Sequence, residues 1–436
     1  MREPIHIEVS KDRVFGKIVF GAVGDLSLRL GVAENIMKKG TDWPFELMCP
    51  ELSRVDILFG NMETVLVPPD FNMDSVEASE LIAPFPGEEC AAAFERAGFH
   101  FLNLAANHVL DAGIVGLEYT QQVLNEAGIA TGGVGPTQDE ARHPVVLFAN
   151  GLRIGLLCYC EDNNYTLGTT GPCHAYFVPE AVEADIESLR PNVDVLIVSV
   201  HADLEFMPTP SVPRRDAFRS FVKAGADLVL GHHPHVPQGC ERIGKSLIVY
   251  SLGNFIFPAH SSHYMRKNGA DTAWSFLLRA EISADGVGHF ERVPFQIGKG
   301  SNERPIPCHN AARRQKLERL HQLDQLVADD AEVARIWGET AVNKLATELK
   351  LAMSFNRKPS PLWKRGLIRL LGLEPSTKLE VDVERVLEEL VGRWCLTAEN
   401  RAWMEEILRQ GKERWDARNA LPPDPYHRPH RRFQKR

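Results

Sequence analysis

Runs of apolar and β-branched residues alternate with segments of helical spacing along the first 300 positions of the chain. The runs have the composition of buried strands. They cover residues 17–23, 55–59, 99–104, 144–148, 152–158, 193–200, 225–231 and 246–257. Helical spacing covers residues 32–39, 90–97, 115–127, 178–189 and 212–224. This alternation predicts a fold of the α/β class.

Two antiparallel hairpins are also predicted. Asn150-Gly151 separates two of the apolar runs, and an Asn-Gly pair is typical of a type I′ turn. Residues 273–282 and 286–297 alternate between apolar and polar positions and are joined by a short turn that ends at Gly286. This second hairpin is expected to close the domain.

Beyond residue 300 the pattern changes to helical periodicity with charged faces. It covers residues 311–353, 362–373, 381–396 and 398–415. We therefore assign residues 1–300 to a catalytic domain, 301–420 to a helical C-terminal region and 421–436 to a basic, disordered tail. The helices are expected to cap the domain or to bind a protein partner, because they carry no catalytic constellation.

Composition and charge narrow the class of protein. Of the 436 residues, 44% are hydrophobic and 25% are charged, as in globular domains, and the net charge of −9 argues against a nucleic-acid partner. The eight cysteines lack the paired spacing of a structural zinc site. No apolar run reaches the length of about 18 residues that a transmembrane segment needs, and no signal peptide is visible, so a cytoplasmic location is expected.

Side chains of metal-binding types follow five of the predicted strands. In chain order they are Asp25, Glu63, Asn107 with His108, His201, and the histidines His232, His233 and His235. Loops at the ends of strands direct such groups into a common cleft. Mixed oxygen and nitrogen ligands suit Mn²⁺, Fe²⁺ or Zn²⁺ better than an all-oxygen Ca²⁺ site. The pattern therefore predicts a site for divalent metal ions and hydrolytic chemistry.

Several of these residues also have a structural interpretation. Asp25 fits the N-cap of the helix at 32–39, and Asp111 fits either the N-cap of the helix at 115–127 or a partner that orients an imidazole. A single histidine at a strand end, such as His201, is often only structural. Asn254 is expected to close the site by a hydrogen bond to a ligand.

The motifs together resemble the CapA family of capsule and poly-γ-glutamate biosynthesis proteins, which have the calcineurin-like metallophosphoesterase fold. The resemblance covers about residues 17–300. Its motifs are Gly24-Asp25, Gly60-Asn-Met-Glu63, Ala106-Asn-His-Val-Leu-Asp111, His201, Gly231-His-His-Pro-His235 with Gln238, and Ser251-Leu-Gly-Asn-Phe-Ile-Phe257. It implies a four-layer αββα sandwich, with helices outside two mixed sheets and two metal ions at the strand ends.

The resemblance also implies roles for single residues. Asp25 and His235 would bind the first metal, Glu63 would bridge, and Asn107, His201 and His233 would bind the second metal. His108 would protonate the leaving group, with Asp111 as its partner. Asn61, His232 and Asn254 would support the ligands or contact substrate.

The chain departs from the family pattern at two places. Ser27 stands where the wider superfamily has a histidine in its Asp-x-His motif, which weakens the expected first metal site. Ala202-Asp203 stands where the family has Trp-Gly, which changes the expected pocket wall.

The resulting hypothesis is a metal-dependent hydrolase of a small-molecule or polymer substrate, a phosphoester or a poly-γ-glutamate-type amide. The alternative is a non-catalytic metal-binding scaffold, or a polymer-binding subunit of a biosynthesis complex. A nucleotide phosphodiesterase is a third hypothesis, because the fold also supports that chemistry.

Overall fold

The computed structural model of the chain describes residues 5–8, 14–75, 81–161 and 171–340. By its contacts the chain divides into two units, Met1–Ala334 and Arg335–Arg436. The first unit is described below, and of the second, residues 335–340 are helical. The predicted helices beyond residue 353 and the basic tail lie outside the described residues, so the protein partner expected there remains a prediction.

The elements of the first unit follow the predicted alternation of strands and helices. The strands are β1 (Ile5–Ile7), β2 (Lys17–Leu26), β3 (Ile57–Met62), β4 (Val65–Val67), β5 (Ile82–Pro86), β6 (Phe99–Asn103), β7 (Ala130–Gly132), β8 (Val134–Gly135), β9 (Val145–Ala149), β10 (Leu152–Cys160), β11 (Cys173–His174), β12 (Val195–His201), β13 (Leu228–His232), β14 (Cys240–Ile243), β15 (Ser246–Val249), β16 (Asn254–Ile256), β17 (Trp274–Ser283), β18 (Gly286–Ile297) and β19 (Pro305–Pro307). The helices are α1 (Leu30–Lys39), α2 (Cys49–Leu52), α3 (Gly87–Arg96), α4 (Gly113–Glu126), α5 (Gln138–Ala141), α6 (Pro179–Leu189), α7 (Val212–Ala224), α8 (His263–Lys267) and α9 (Asn310–Ala328).

Two mixed sheets form the centre of the unit. The first sheet has the strand order β1-β9-β10-β12-β13-β15-β14, and the second has the order β19-β18-β17-β2-β3-β6-β7, with β16 also paired to β2. Strands β10, β12, β13 and β15 are parallel in the first sheet, and β2, β3, β6 and β7 are parallel in the second. The parallel strands therefore end at one edge of each sheet.

The two sheets pack face to face, and helices cover their outer faces. Phe20, Phe59 and Phe101 of the second sheet share one buried cluster with Ile154 and Ile197 of the first. The alternate residues of each strand point outward. They pack against α6 and α7 on the first sheet and against α1, α3 and α4 on the second. The four-layer αββα architecture is confirmed.

Both predicted hairpins are present. Asn150 and Gly151 have φ values of 48° and 83°, as a type I′ turn requires, and they join β9 to β10 in an antiparallel pair. Strands β17 and β18 are antiparallel and meet at Ser283 and Gly286. Within the described residues, no cysteine forms a disulfide and no helix has the length and hydropathy needed to cross a bilayer.

The prediction of one strand over residues 246–257 is wrong. Strand β15 belongs to the first sheet and β16 to the second, so the chain crosses between the sheets in the segment between them. Gly253 has φ 58°, and a Cβ on Gly24 would lie 1.7 Å from its carbonyl oxygen. The crossing was invisible in the sequence because both strands are almost entirely buried, which leaves one continuous apolar run.

Helical periodicity from residue 311 is interrupted at Asp329. The Asp329 carboxylate accepts hydrogen bonds from the backbone N–H groups of Ala331 and Glu332, both at 3.0 Å, and residues 330–340 form a separate helix. A carboxylate in this position caps a new helix instead of continuing the old one.

Helix α9 lies beyond residue 300 but packs against the sheets. Leu320 and Leu323 join the cluster between the sheets. Asp324 accepts a hydrogen bond of 2.8 Å from the Cys240 backbone N–H and forms a 2.6 Å ion pair with Arg292. These contacts attach α9 to the edge formed by β14 and β18.

Candidate metal centre

The predicted ligands come from both sheets. Asp25 is close to the end of β2, and Glu63 follows β3 directly, so both belong to the second sheet. Asn107 lies in the turn after β6 of that sheet. His201 ends β12 of the first sheet, and His232, its register partner, ends β13.

The structure brings these groups into one buried pocket. His201 Nε2 lies 3.2 Å from Glu63 Oε1 and 2.9 Å from Asn107 Oδ1. His235 Nδ1 lies 3.3 Å from Asp25 Oδ2, and His235 Nε2 lies 3.9 Å from Glu63 Oε1. Oxygen ligands of the second sheet therefore face imidazoles of the first across the sandwich.

Glu63 is the group that most needs a cation. Its side chain is fully buried, and neither carboxylate oxygen accepts a hydrogen bond from a described residue, since the nearby His201 nitrogen is not aligned for one. Burial raises the pKa of Glu63 to about 7. Ligand atoms of Glu63, His233 and His235 all lie within 4.8 Å of one another. A buried, unpartnered carboxylate beside two imidazoles is a donor set that fits a divalent cation.

Asp25 and His235 form an ion pair in the pocket. Burial opposes ionisation of Asp25, but hydrogen bonds from His232 and His235 outweigh it and hold the pKa of Asp25 below its usual range. Burial likewise lowers the pKa of His235, but the charges of Glu63 and Asp25 raise it to about 10.

The other two predicted imidazole ligands are neutral. Burial lowers the pKa of His233 to about 3, and burial also holds the pKa of His201 well below its usual range. A neutral imidazole is the form that binds a metal. His233 has φ 92° and His235 has φ 57°, a backbone conformation that is strained for these residues and typical of functional loops.

Buried amides fix the orientation of the ligands. Asn61 Nδ2 donates hydrogen bonds of 2.9 Å to Asp25 Oδ1 and to His201 Nδ1. Asn254 Oδ1 accepts a 2.9 Å hydrogen bond from His235 Nδ1, and its Nδ2 donates to backbone carbonyls. Both residues lie at the pocket, as predicted, and both are bonded to the proposed ligands themselves.

His108 lies at the open side of the pocket. His108 Nδ1 donates a 2.7 Å hydrogen bond to Asp111 Oδ2, which also accepts from the Leu81 backbone N–H. Burial opposes protonation of His108, but the hydrogen bond and charge of Asp111 raise its pKa above the usual value. The His108 side chain is 20% exposed, so its Nε2 is the nitrogen left for a substrate.

Neither aspartate has the alternative capping role. The N-cap of α1 is Arg29 and that of α4 is Ala112, and neither helix has a side-chain cap. Asp25 and Asp111 instead face His235 and His108.

His232 and Ser27 lie beside the carboxylate of Asp25 or close to it in sequence. His232 Nδ1 is 3.6 Å from Asp25 Oδ1, and the imidazole stacks on the ring of Phe59. The Ser27 hydroxyl is buried and makes no hydrogen bond to a described residue. Ser27 therefore does not replace the missing histidine with a visible contact.

Three residues at the site have no role in our interpretation of the sequence. Asn103 Nδ2 donates a 2.7 Å hydrogen bond to Asn61 Oδ1. Glu205 Oε1 lies 3.7 Å from His235 Nε2, and the Phe206 ring packs on the His235 ring at 6.1 Å between centroids. The position of Glu205 shortly after a strand that ends in histidine is a signal that sequence reasoning could have used.

Asp203, where the chain departs from the family pattern, also has a defined place. Its carboxylate accepts a 2.9 Å hydrogen bond from the Ser211 backbone N–H, and its own N–H donates to Glu161. Arg214 in turn donates a 2.8 Å hydrogen bond to Glu161. These contacts hold the loop that carries Glu205 and Phe206.

The sandwich and the convergence of acidic, amide and imidazole groups at its strand ends define a metallophosphoesterase-like protein. This class contains proteins with diverse roles. The sequence narrows the assignment further: the chain belongs to the family described as bacterial capsule synthesis protein PGA_cap, which it matches over residues 19–259.

Two relatives match most of the chain. Capsule biosynthesis protein CapA of Bacillus anthracis is 29% identical over 338 residues, which is 76% of this chain and 77% of the relative. PGA biosynthesis protein CapA of Bacillus subtilis (strain 168) is 26% identical over 314 residues, 71% of this chain and 79% of the relative. Among solved structures, TT1561 of Thermus thermophilus matches at a TM-score of 0.33 with 11% identity, covering 63% of this chain and 98% of that one, a likeness too low to carry an assignment.

Proposed function

We propose that the protein is a metal-dependent hydrolase of a phosphoester or a γ-glutamyl-type amide in capsule or poly-γ-glutamate metabolism. The observation that supports it most is the Glu63 carboxylate, which is buried without a hydrogen bond from any described residue beside His233 and His235. A protein that used this pocket only for packing would not keep an unpartnered carboxylate there.

The proposed ligand set divides between two divalent ions. Asp25 and His235 hold one ion, Asn107, His201 and His233 hold the other, and Glu63 contributes to both. When bound, such ions acidify a water molecule and neutralise negative charge on the group that is hydrolysed. Asn61 and Asn254 keep the ligands in place through the hydrogen bonds described above.

His108 supplies the proton of the reaction. Water adds to the phosphorus or carbonyl carbon, the bond to the leaving oxygen or nitrogen breaks, and the proton on His108 Nε2 passes to that leaving atom. Asp111 stabilises the protonated imidazole through the 2.7 Å hydrogen bond at Nδ1. The raised pKa of His108 favours the protonated form that an acid requires.

Elemental analysis and turnover test the proposal together. Protein purified without chelator is analysed for Mn, Fe and Zn, and is then assayed with Mn²⁺ on 4-nitrophenyl phosphate, bis(4-nitrophenyl) phosphate and poly-γ-glutamate. His108→Gln is expected to bind metal but to lose turnover, and His289→Gln, at an exposed histidine far along the chain, serves as the matched control. Bound metal without turnover on any substrate would favour the scaffold. Absence of bound metal would refute the metal site.

A further inference from the structure

A second cavity lies behind the loop that carries His235. It has a volume of about 300 Å³. Phe206 and Val236 line it, and Phe206 also packs on the His235 ring. On the far side it is lined by residues 268–271 and by Arg319 of helix α9. The cavity and the candidate metal centre thus share a wall that is about one aromatic ring thick.

The charged groups around this cavity are mostly positive. Arg319 donates no hydrogen bond to a described residue, and its closest carboxylate oxygen, Asp271 Oδ2, is 3.8 Å away. The other oxygen of Asp271 accepts a 2.8 Å hydrogen bond from Trp274 Nε1. Lys316, one turn before Arg319, lies 3.9 Å from the centre of the Trp274 ring. Two cations therefore face one anion, in a chain whose net charge is −9.

We propose that this cavity is a subsite for an anionic group, a carboxylate or a phosphate, on the part of the substrate that extends from the bond to be cleaved. This inference rests on the proposed hydrolase function. Arg319 is the specificity-determining residue, because a guanidinium with unused donors binds such groups through paired hydrogen bonds. Asp271 keeps Arg319 in place and excludes ligands without a negative charge.

The subsite is added to the family core from outside it. Helix α9 begins at Asn310, whereas the match to the family ends at residue 259. Leu323 on α9 lines the cavity and is buried, so the position of the Arg319 backbone is fixed by packing. The helix thus gives this chain a means of selecting its substrate that the metal ligands themselves do not provide.

Binding measurements on the full, Mn²⁺-loaded chain test the subsite. The probes are γ-linked triglutamate for the carboxylate source, inorganic tripolyphosphate for the phosphate source, and the triamide of triglutamate as the neutral analogue. Arg319→Gln is expected to weaken binding of one anionic probe by about tenfold and to leave the triamide unchanged. Arg314→Gln removes an exposed cation from the same helix and is expected to change affinity less than about twofold.

Asp271→Asn gives an independent readout with the opposite sign. It removes the competing carboxylate, so affinity for the same anionic probe is expected to rise severalfold. Equal affinity of wild type and Arg319→Gln for both anionic probes, or an equal loss for the triamide, would overturn the subsite. Arg319-dependent binding without hydrolysis would refute the hydrolase and leave the subsite, whereas hydrolysis without Arg319 dependence would refute the subsite alone.

Discussion

Replacement of Glu63 by glutamine is expected to change stability in opposite directions with and without divalent metal. In chelator, the wild-type protein must keep a buried carboxylate that no hydrogen bond from a described residue stabilises. Glutamine has nearly the same shape and no charge, so the variant avoids this penalty. In Mn²⁺, the same carboxylate becomes a ligand, and the variant loses that interaction.

The magnitude follows from the pKa of the Glu63 carboxyl group. Burial raises this pKa to about 7 from an ordinary 4.5. At about 1.4 kcal/mol for each pKa unit, this difference corresponds to about 3 kcal/mol of lost stability when the group is ionised. Because the folded-state pKa is the higher one, the loss is absent below pH 4.5, grows between pH 4.5 and 7, and is complete above pH 7.

Urea unfolding followed by circular dichroism measures the effect. In chelator, Glu63→Gln is expected to be more stable than wild type by up to about 3 kcal/mol at about pH 8.5, and the gain is expected to shrink as the pH falls towards about 5. Mn²⁺ at about 100 times its Kd stabilises the wild type by about 2.7 kcal/mol, and the variant is expected to gain much less.

Glu281→Gln is the matched control, because Glu281 is exposed and its substitution is expected to change stability by less than about 0.5 kcal/mol. The reasoning is refuted if Glu63→Gln is less stable than wild type in chelator at high pH. It is also refuted if the difference between the two proteins does not depend on pH.

Three further substitutions probe other parts of the structure. His108→Gln is expected to lower kcat by about 10² to 10⁴ with little change in KM, as steady-state kinetics would show; a change in KM alone would contradict the acid role. Asn254→Ala is expected to weaken Mn²⁺ binding about 10- to 100-fold, because His235 loses the partner of its Nδ1; calorimetric titration measures this, and unchanged affinity would contradict it. Gly231→Ala places a Cβ 1.9 Å from a backbone carbonyl oxygen and is expected to destabilise the fold by about 1–3 kcal/mol in urea unfolding, whereas Gly288→Ala, with its nearest neighbour at 3.5 Å, is expected to have little effect.

Much of the fold was predictable because burial and turn chemistry are local in sequence. The hairpin at Asn150-Gly151 follows from two residues that accept positive φ. The crossing between β15 and β16 was not predictable from periodicity, since both halves of the run are buried. The break at Asp329 was also missed, because one capping side chain interrupts a helical pattern that otherwise continues.

The ligand types at the site were predictable, but their geometry was not. Strand ends identify Asp25, Glu63 and His201 as neighbours in one pocket. Nothing local in sequence shows that Asn61 bonds two ligands at once, or that Arg319 faces a cavity behind His235, since both depend on contacts between distant segments. The assignment of each ligand to a particular ion, and the boundaries of the C-terminal region, remain predictions.

The pocket takes its oxygen ligands from one half of the sandwich and its imidazoles from the other. A cation held by both sets would act as a clamp between β3 and β12, because the two strands could not separate without breaking coordination. Hydrogen exchange of backbone amides in both sheets should then slow together when metal binds, and the interior of the protein would report the occupancy of its catalytic edge.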